Sequence, residues 1–184
     1  MSVFLLSVVA AKVIECKYNF MATVYISLGS NVDAETNIRA AITALKEQFG
    51  ELIISTVYKN SAVGFDGDDF LNLVVGLNTE LSIPDFVDSL HNIEAAQGRR
   101  RDLEKFSPRT LDIDLLLYDD DIFESGKIII PRDEITKYAF VLQPLAELIP
   151  DYIHPVTKQK ISDLWTAFDK NNTEAMVVFD LKTI

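Results

Sequence analysis

Thr110-Leu111-Asp112-Ile113-Asp114-Leu115-Leu116-Leu117-Tyr118 is a strongly apolar run carrying two carboxylates two residues apart. Its length and composition predict a buried strand. A side-chain period of two sets Asp112 and Asp114 on one face, about 7 Å apart. The same period sends Leu111, Ile113, Leu115 and Leu117 to the opposite face, into a core. A strand that is apolar on one side and acidic on the other needs a helix layer under the first and a purpose for the second.

Working outward, Thr23 to Leu28 is an ordinary first strand and Gly29-Ser30-Asn31 a tight turn. Ile38, Ala41, Ile42, Leu45 and Phe49 recur at helical spacing, with Gly50 as the stop. Leu52 to Tyr58 is β-rich, residues 60–69 form a small-residue and acidic loop, and Leu71, Leu73, Val75 and Leu77 alternate as a strand does. Ser82-Ile83-Pro84-Asp85 opens a helix that runs through Gln97 and stops at Gly98. After an Arg-rich loop at 99–109 and the Asp112 strand, Asp119 to Asp121 reads as a turn and Lys127 to Ile130 as a short strand. Phe140 to Leu148 and Ile161 to Phe168 read as helices, and Val177 to Leu181 as a strand that could add an edge to the sheet or a dimer contact. The order β-α-β-β-α-β predicts a single α+β domain of the ferredoxin-like, split βαβ kind: an antiparallel sheet with helices packed on one face. The expected boundaries are an N-terminal extension over 1–20, a main domain over 21–165 and a tail of unassigned role over 166–184. The apolar run Val3 to Ala11 is too short to cross a bilayer and lacks the charged start of a secretory signal, so the extension reads as a segment upstream of the true start, with a weak export or anchor segment as the alternative.

Composition narrows the function. The chain has 184 residues, 48% of them hydrophobic, and a formal net charge of −11. That charge disfavours nucleic-acid and anionic-membrane binding. One cysteine, Cys16, excludes a disulfide framework and fits a reducing, cytoplasmic setting. Two histidines, His91 and His154, make a His-rich zinc site a poor expectation. Neither a P-loop nor a G-x-G-x-x-G signature is present.

The Asp112/Asp114 pair has two readings on its own. It either binds Mg²⁺ together with substrate phosphate oxygens, or lies on a wet sheet face and pairs with nearby arginines. Six arginines occur in the chain, and Arg99, Arg100, Arg101 and Arg109 fall within eleven residues just before that strand. Guanidinium forks beside Mg²⁺-binding carboxylates suit a nucleoside triphosphate. The plain alternative is a solvated loop that neutralises Asp102, Glu104, Asp112 and Asp114.

Five segments in order decide between these. They are Tyr25-Ile26-Ser27-Leu28-Gly29-Ser30-Asn31, Asp69-Phe70-Leu71-Asn72, Glu94 followed by Gly98-Arg99-x-Arg101, Pro108-Arg109-Thr110-Leu111-Asp112-Ile113-Asp114, and Phe140-Val141-Leu142-Gln143-Pro144-Leu145. Over about residues 22–165 the series resembles the 6-hydroxymethyl-7,8-dihydropterin pyrophosphokinases of the folate pathway. The resemblance implies pyrophosphoryl transfer from ATP to the pterin hydroxymethyl group with release of AMP, using two Mg²⁺ ions. It implies Asp112 and Asp114 as metal ligands and Arg99 and Arg109 as the loop arginines that assist transfer. It places Glu94, Arg101, Arg132 and Lys137 toward ATP, and Ser61, Val63, Phe70, Asn72 and Phe140 toward the pterin, with Phe70 and Phe140 stacking on its two faces. Phe106 matches an aromatic closing over the site. The implied partners are small-molecule substrates only, with no nucleic acid, membrane or obligate protein partner.

One stretch departs from the family pattern. Arg132 stands where His is usual, and Glu134 and Tyr138 stand where Arg is common, in a run expected to reach the ATP phosphates. Arg132 keeps a charge and a donor, Lys137 offers a point charge, and Glu134 would repel phosphate if it faced the site. The alternative function is therefore a divergent paralogue that binds pterin or nucleotide without efficient transfer.

Overall fold

Strand β1 (Ala22–Ser30) buries every second residue on one face: Ala22, Val24, Ile26 and Leu28 are buried, while Thr23 is exposed and Tyr25, Ser27 and Gly29 are half-buried. The computed structural model describes residues 21–61, 67–98, 110–169 and 176–181. Along one edge β1 pairs antiparallel with β4 (Phe70–Thr79), and along the other with β5 (Asp112–Tyr118). The sheet continues from β4 to β3 (Val57–Asn60) and then to β8 (Val177–Phe179), while β2 (Ile53–Ile54) also pairs with β4. The fold is a single-domain α+β arrangement of antiparallel sheet and helices.

Two helices cover one face. α1 (Ala34–Phe49) buries Ile38, Ala41, Ile42 and Leu45 and ends at Gly50, whose φ of 83° is the left-handed stop the sequence predicts. α2 (Ile83–Ala96) starts at Ser82, whose hydroxyl accepts from Asp85 N at 3.4 Å and donates to Asp85 Oδ2 at 2.6 Å. These helices pack Ile38, Ile42, Phe86 and Leu90 against Val24, Ile26, Leu73, Val75 and Ile113.

The expectation of helices on one face only is corrected by the second layer. A hairpin of β6 (Phe123–Ser125) and β7 (Ile128–Ile130) leads through the short α3 (Glu134–Lys137) into α4 (Ala139–Leu148) and later α5 (Ile161–Ala167). Val141, Leu142 and Leu145 of α4, Ile135 of α3 and Ile161 of α5 form a second core with Val74, Leu116 and Leu117. The reason is visible in β4, which is buried almost continuously from Leu71 to Leu77, as a strand covered on both sides must be.

Leu117 is a second correction. It was assigned to the same face as Leu111, Ile113 and Leu115, but it packs in the α4 core. Ile26 pairs with Leu115 and Tyr25 with Leu117, so Leu116 is the extra residue of a β-bulge. Beyond it the alternation changes phase, and Tyr118 rather than Leu117 packs with the α1/α2 core. Gly29 and Ser30 also differ from expectation, since both belong to β1 rather than to a turn. Ser30 Oγ donates to Thr110 O at 2.6 Å and ties the end of β1 to the start of β5.

Candidate functional site

On the sheet face away from α1 and α2, Gly29 is flanked in register by Asp112 on β5 and Asn72 on β4, and Ser27 stands beside Asp114. This row floors a cavity of about 220 Å³. Phe70, Asn60 and Leu116 complete the floor, and Glu134, Tyr138 and Phe140 from the α3–α4 segment form the opposite wall. The two carboxylates are thus presented by one strand to the same space as Phe70, Asn72 and Phe140.

Asn72 is nearly buried and donates through Nδ2 to Asn60 Oδ1 at 2.7 Å; Asn60 Nδ2 in turn donates to Ser61 O at 2.9 Å. The Asn72 side chain lies over Gly29, where a methyl group would stand 2.9 Å from Asn72 Oδ1. Glycine at 29 is what lets this amide lie flat on the floor. Phe140 stacks with Tyr138, ring centroids 5.0 Å apart and planes 15° apart. α4 is held to β3 at the rear of the cavity: Gln143 Nε2 donates to Tyr58 Oη at 2.9 Å, Tyr58 donates to Glu147, and Thr56 N donates to Glu147 Oε2 at 2.9 Å. Burial, and then the Glu147 carboxylate, push the Tyr58 hydroxyl up to about 12.

The charged side of the cavity is more occupied than its sequence suggests. Arg132 Nη2 donates to Asp114 Oδ1 at 2.8 Å, and its Nε lies 3.2 Å from Glu134 Oε2. Glu134 does face the cavity, but paired with this guanidinium; burial, followed by its contact with Asp133, holds its carboxyl above the usual range. Lys137 lies on the exposed side of α3, paired with Asp133. Glu94 is fully buried beneath β5, where its Oε1 accepts from Ile113 N at 2.8 Å, between the two aspartates. Ser61 is exposed and meets the site through its carbonyl. Val63, Arg99, Arg101, Phe106 and Arg109 lie outside the described residues.

No group of three or more His, Cys, Asp or Glu side chains able to hold a metal occurs among the described residues. Asp112 and Asp114 offer oxygen only, from a partly exposed strand face. That donor set suits a hard divalent cation whose remaining positions are filled by water and substrate phosphate, and it does not suit zinc. Three contributors were not singled out from sequence: Gly29, whose closeness to Asn72 depends on strand pairing; Tyr138, noted only as a departure; and Asn60. The aromatic spacing Tyr138-x-Phe140 just ahead of a helix was the one local signal available.

A small cavity lined by both carboxylates and stacked aromatics has the shape and chemistry to take a flat ring beside a cation. Comparison with known proteins agrees with the sequence resemblance. The profile of the 7,8-dihydro-6-hydroxymethylpterin-pyrophosphokinase (HPPK) family matches residues 25–150. The 2-amino-4-hydroxy-6-hydroxymethyldihydropteridine pyrophosphokinase of Aquifex aeolicus is 37% identical over 145 residues, covering 78% of this chain and 90% of the relative. The enzyme of that name from Haemophilus influenzae is 36% identical over 152 residues, covering 80% and 94%. Among solved structures, an HPPK-DHPS in complex with substrates superimposes with a TM-score of 0.64 at 12% identity, covering 80% of this chain and 43% of that one. Plasmodium falciparum HPPK-DHPS gives 0.65 at 14%, covering 82% and 42%. At that identity these structures speak for the fold, and the chain spans less than half of their length. The chain belongs to the 7,8-dihydro-6-hydroxymethylpterin-pyrophosphokinase family.

Proposed function

We propose that the chain transfers a pyrophosphoryl group from ATP to the hydroxymethyl oxygen of 6-hydroxymethyl-7,8-dihydropterin in folate biosynthesis. The bond from that oxygen to the β-phosphorus forms, the bond from the β-phosphorus to the α,β-bridging oxygen breaks, and AMP leaves as the hydroxyl proton is lost. The observation that carries the proposal is that Asp112 and Asp114 open onto the same cavity as Phe70, Asn72 and Phe140.

In this proposal Phe70 and Phe140 stack on the pterin faces, and Asn72 hydrogen-bonds its edge beside the Ser61–Val63 backbone. Asp112 and Asp114 hold Mg²⁺, two ions in all, which would neutralise the phosphates. Arg99 and Arg109 assist transfer, with Arg101, Arg132 and Lys137 toward ATP. Reactions of this type need positioning and charge stabilisation more than a nucleophilic side chain. Glu94 contributes from below, by holding the backbone between the aspartates. The ferredoxin-like description of the sheet is part of the same proposal; the antiparallel order β5-β1-β4-β3 supports it. So are a catalytic unit over 21–165 and action in the cytoplasm on small molecules alone. Among the described residues no helix is long and apolar enough to cross a membrane.

The test is AMP release from ATP, Mg²⁺ and the hydroxymethyldihydropterin, with Asp112→Asn as control. Pterin-dependent AMP that falls on the order of 10²–10³-fold in a folded Asp112→Asn variant is the expected result. A second reading, binding without efficient transfer, is favoured by one observation: Arg132 is engaged with Asp114 and Glu134. Pterin binding with no AMP from the unaltered chain would establish it.

A further inference from the structure

Arg132 is placed with more care than a residue merely reaching for phosphate requires. Its backbone N donates at 2.9 Å to the carbonyl of Leu116, the extra residue of the β5 bulge. The bulge therefore anchors Arg132 two residues along from Asp114. From that anchor the guanidinium reaches Asp114 Oδ1 at 2.8 Å with one nitrogen and Glu134 Oε2 at 3.2 Å with another. Asp112 and Asp114 share one strand face, and the charge of Asp114 is met by this guanidinium. Arg132 is about a quarter exposed and Asp114 about two-fifths, so the pair is open to exchange.

We propose that Arg132 is the built-in counter-ion of Asp114: it neutralises this carboxylate before nucleotide arrives and yields it only to a cation delivered with phosphate, to which its fork then turns. The proposal rests on the reading of Asp112 and Asp114 as cation ligands. A divalent ion alone meets a guanidinium already seated and is repelled. An ion bound to a polyphosphate brings the anion that draws the guanidinium away from Asp114. The arrangement makes the site selective for the metal–nucleotide complex over the free metal.

The test is a titration with Mn²⁺ alone, followed by the paramagnetic signal of the free ion. Arg132→Gln is expected to bind Mn²⁺ about tenfold more tightly than the unaltered chain, and Arg132→Lys, which keeps the charge, to stay within about twofold. Unchanged or weaker Mn²⁺ binding by a folded Arg132→Gln overturns the proposal. Asp112→Asn should abolish the binding in every background. If it does not, the carboxylate reading fails and the proposal falls with it, whereas loss in Asp112→Asn without any gain in Arg132→Gln removes the counter-ion role alone. Should Arg132→Gln not fold, the nitrogen-15 signal of the Arg132 Nε in the unaltered protein decides. It should shift on adding Mg²⁺ with α,β-methylene ATP and stay in place with Mg²⁺ alone; an equal shift with Mg²⁺ alone overturns the proposal.

Discussion

Gly29 and Asn72 are register partners on β1 and β4, and the amide of Asn72 lies across the space that a side chain at 29 would fill, 2.9 Å from an added methyl. A Gly29→Ala substitution must push Asn72 off its bond to Asn60. The expected result is a loss of about 1–3 kcal/mol in stability and a rise of roughly tenfold in the KM for the pterin, the cost of about one hydrogen bond. The KM for ATP should move far less. Steady-state kinetics with each substrate varied in turn check this.

Tyr138 offers the cavity a ring stacked on Phe140. Replacing it with alanine should cost about 0.5–1.5 kcal/mol of pterin affinity, seen as a few-fold weaker Kd in a fluorescence titration. Tyr138→Phe keeps the ring and should leave affinity within about twofold. Equal loss in both variants would point to the hydroxyl instead.

Tyr58 joins β3 to α4 through Gln143 and Glu147. Tyr58→Phe should lower stability by about 0.5–1.5 kcal/mol, the net worth of one hydrogen bond, because Glu147 is exposed and water can replace the lost donor. The hydroxyl is raised to about 12 from an ordinary 10.0, so its contribution is fully present below pH 10 and is lost as pH rises toward 12. Urea midpoints across that range should fall in the unaltered chain more steeply than in Tyr58→Phe.

His154 supplies an acid-side counterpart. It is buried, and its Nδ1 accepts from Val156 N and Thr157 N, both at 3.2 Å, so burial holds its pKa below the ordinary 6.5. A base with a depressed folded value contributes stability that is complete above 6.5 and is lost as pH falls through the folded value. The urea midpoint should therefore drop on acidification below about pH 6, and His154→Gln should flatten that part of the profile.

Much of this was legible in the chain because it depends on local pattern. The α1 stripe at Ile38, Ile42 and Leu45, the Ser82–Asp85 cap and the Asp112/Asp114 pair follow from spacing alone. The face that α4 covers did not, because the apolar run Leu115-Leu116-Leu117 fits either phase of a strand and only pairing with β1 reveals the bulge. Nor did the burial of Glu94, expected on the ATP side, because its bond from Ile113 N depends on how α2 packs under β5. Arg132 and Glu134 looked like opponents at a phosphate site; adjacency through α3 made them partners. β8 was foreseen as a strand, but its place beside β3, from Val57↔Phe179 to Lys59↔Val177, required long-range pairing.

The bulge at Leu116 gives β5 two employers. Its first half carries the aspartates of the cavity, and its second half, Leu116 and Leu117, is gripped by α4, the helix whose first turn also carries Phe140. Phe140 and the second core therefore share one helix, and a change that displaces α4 displaces a wall of the cavity with it.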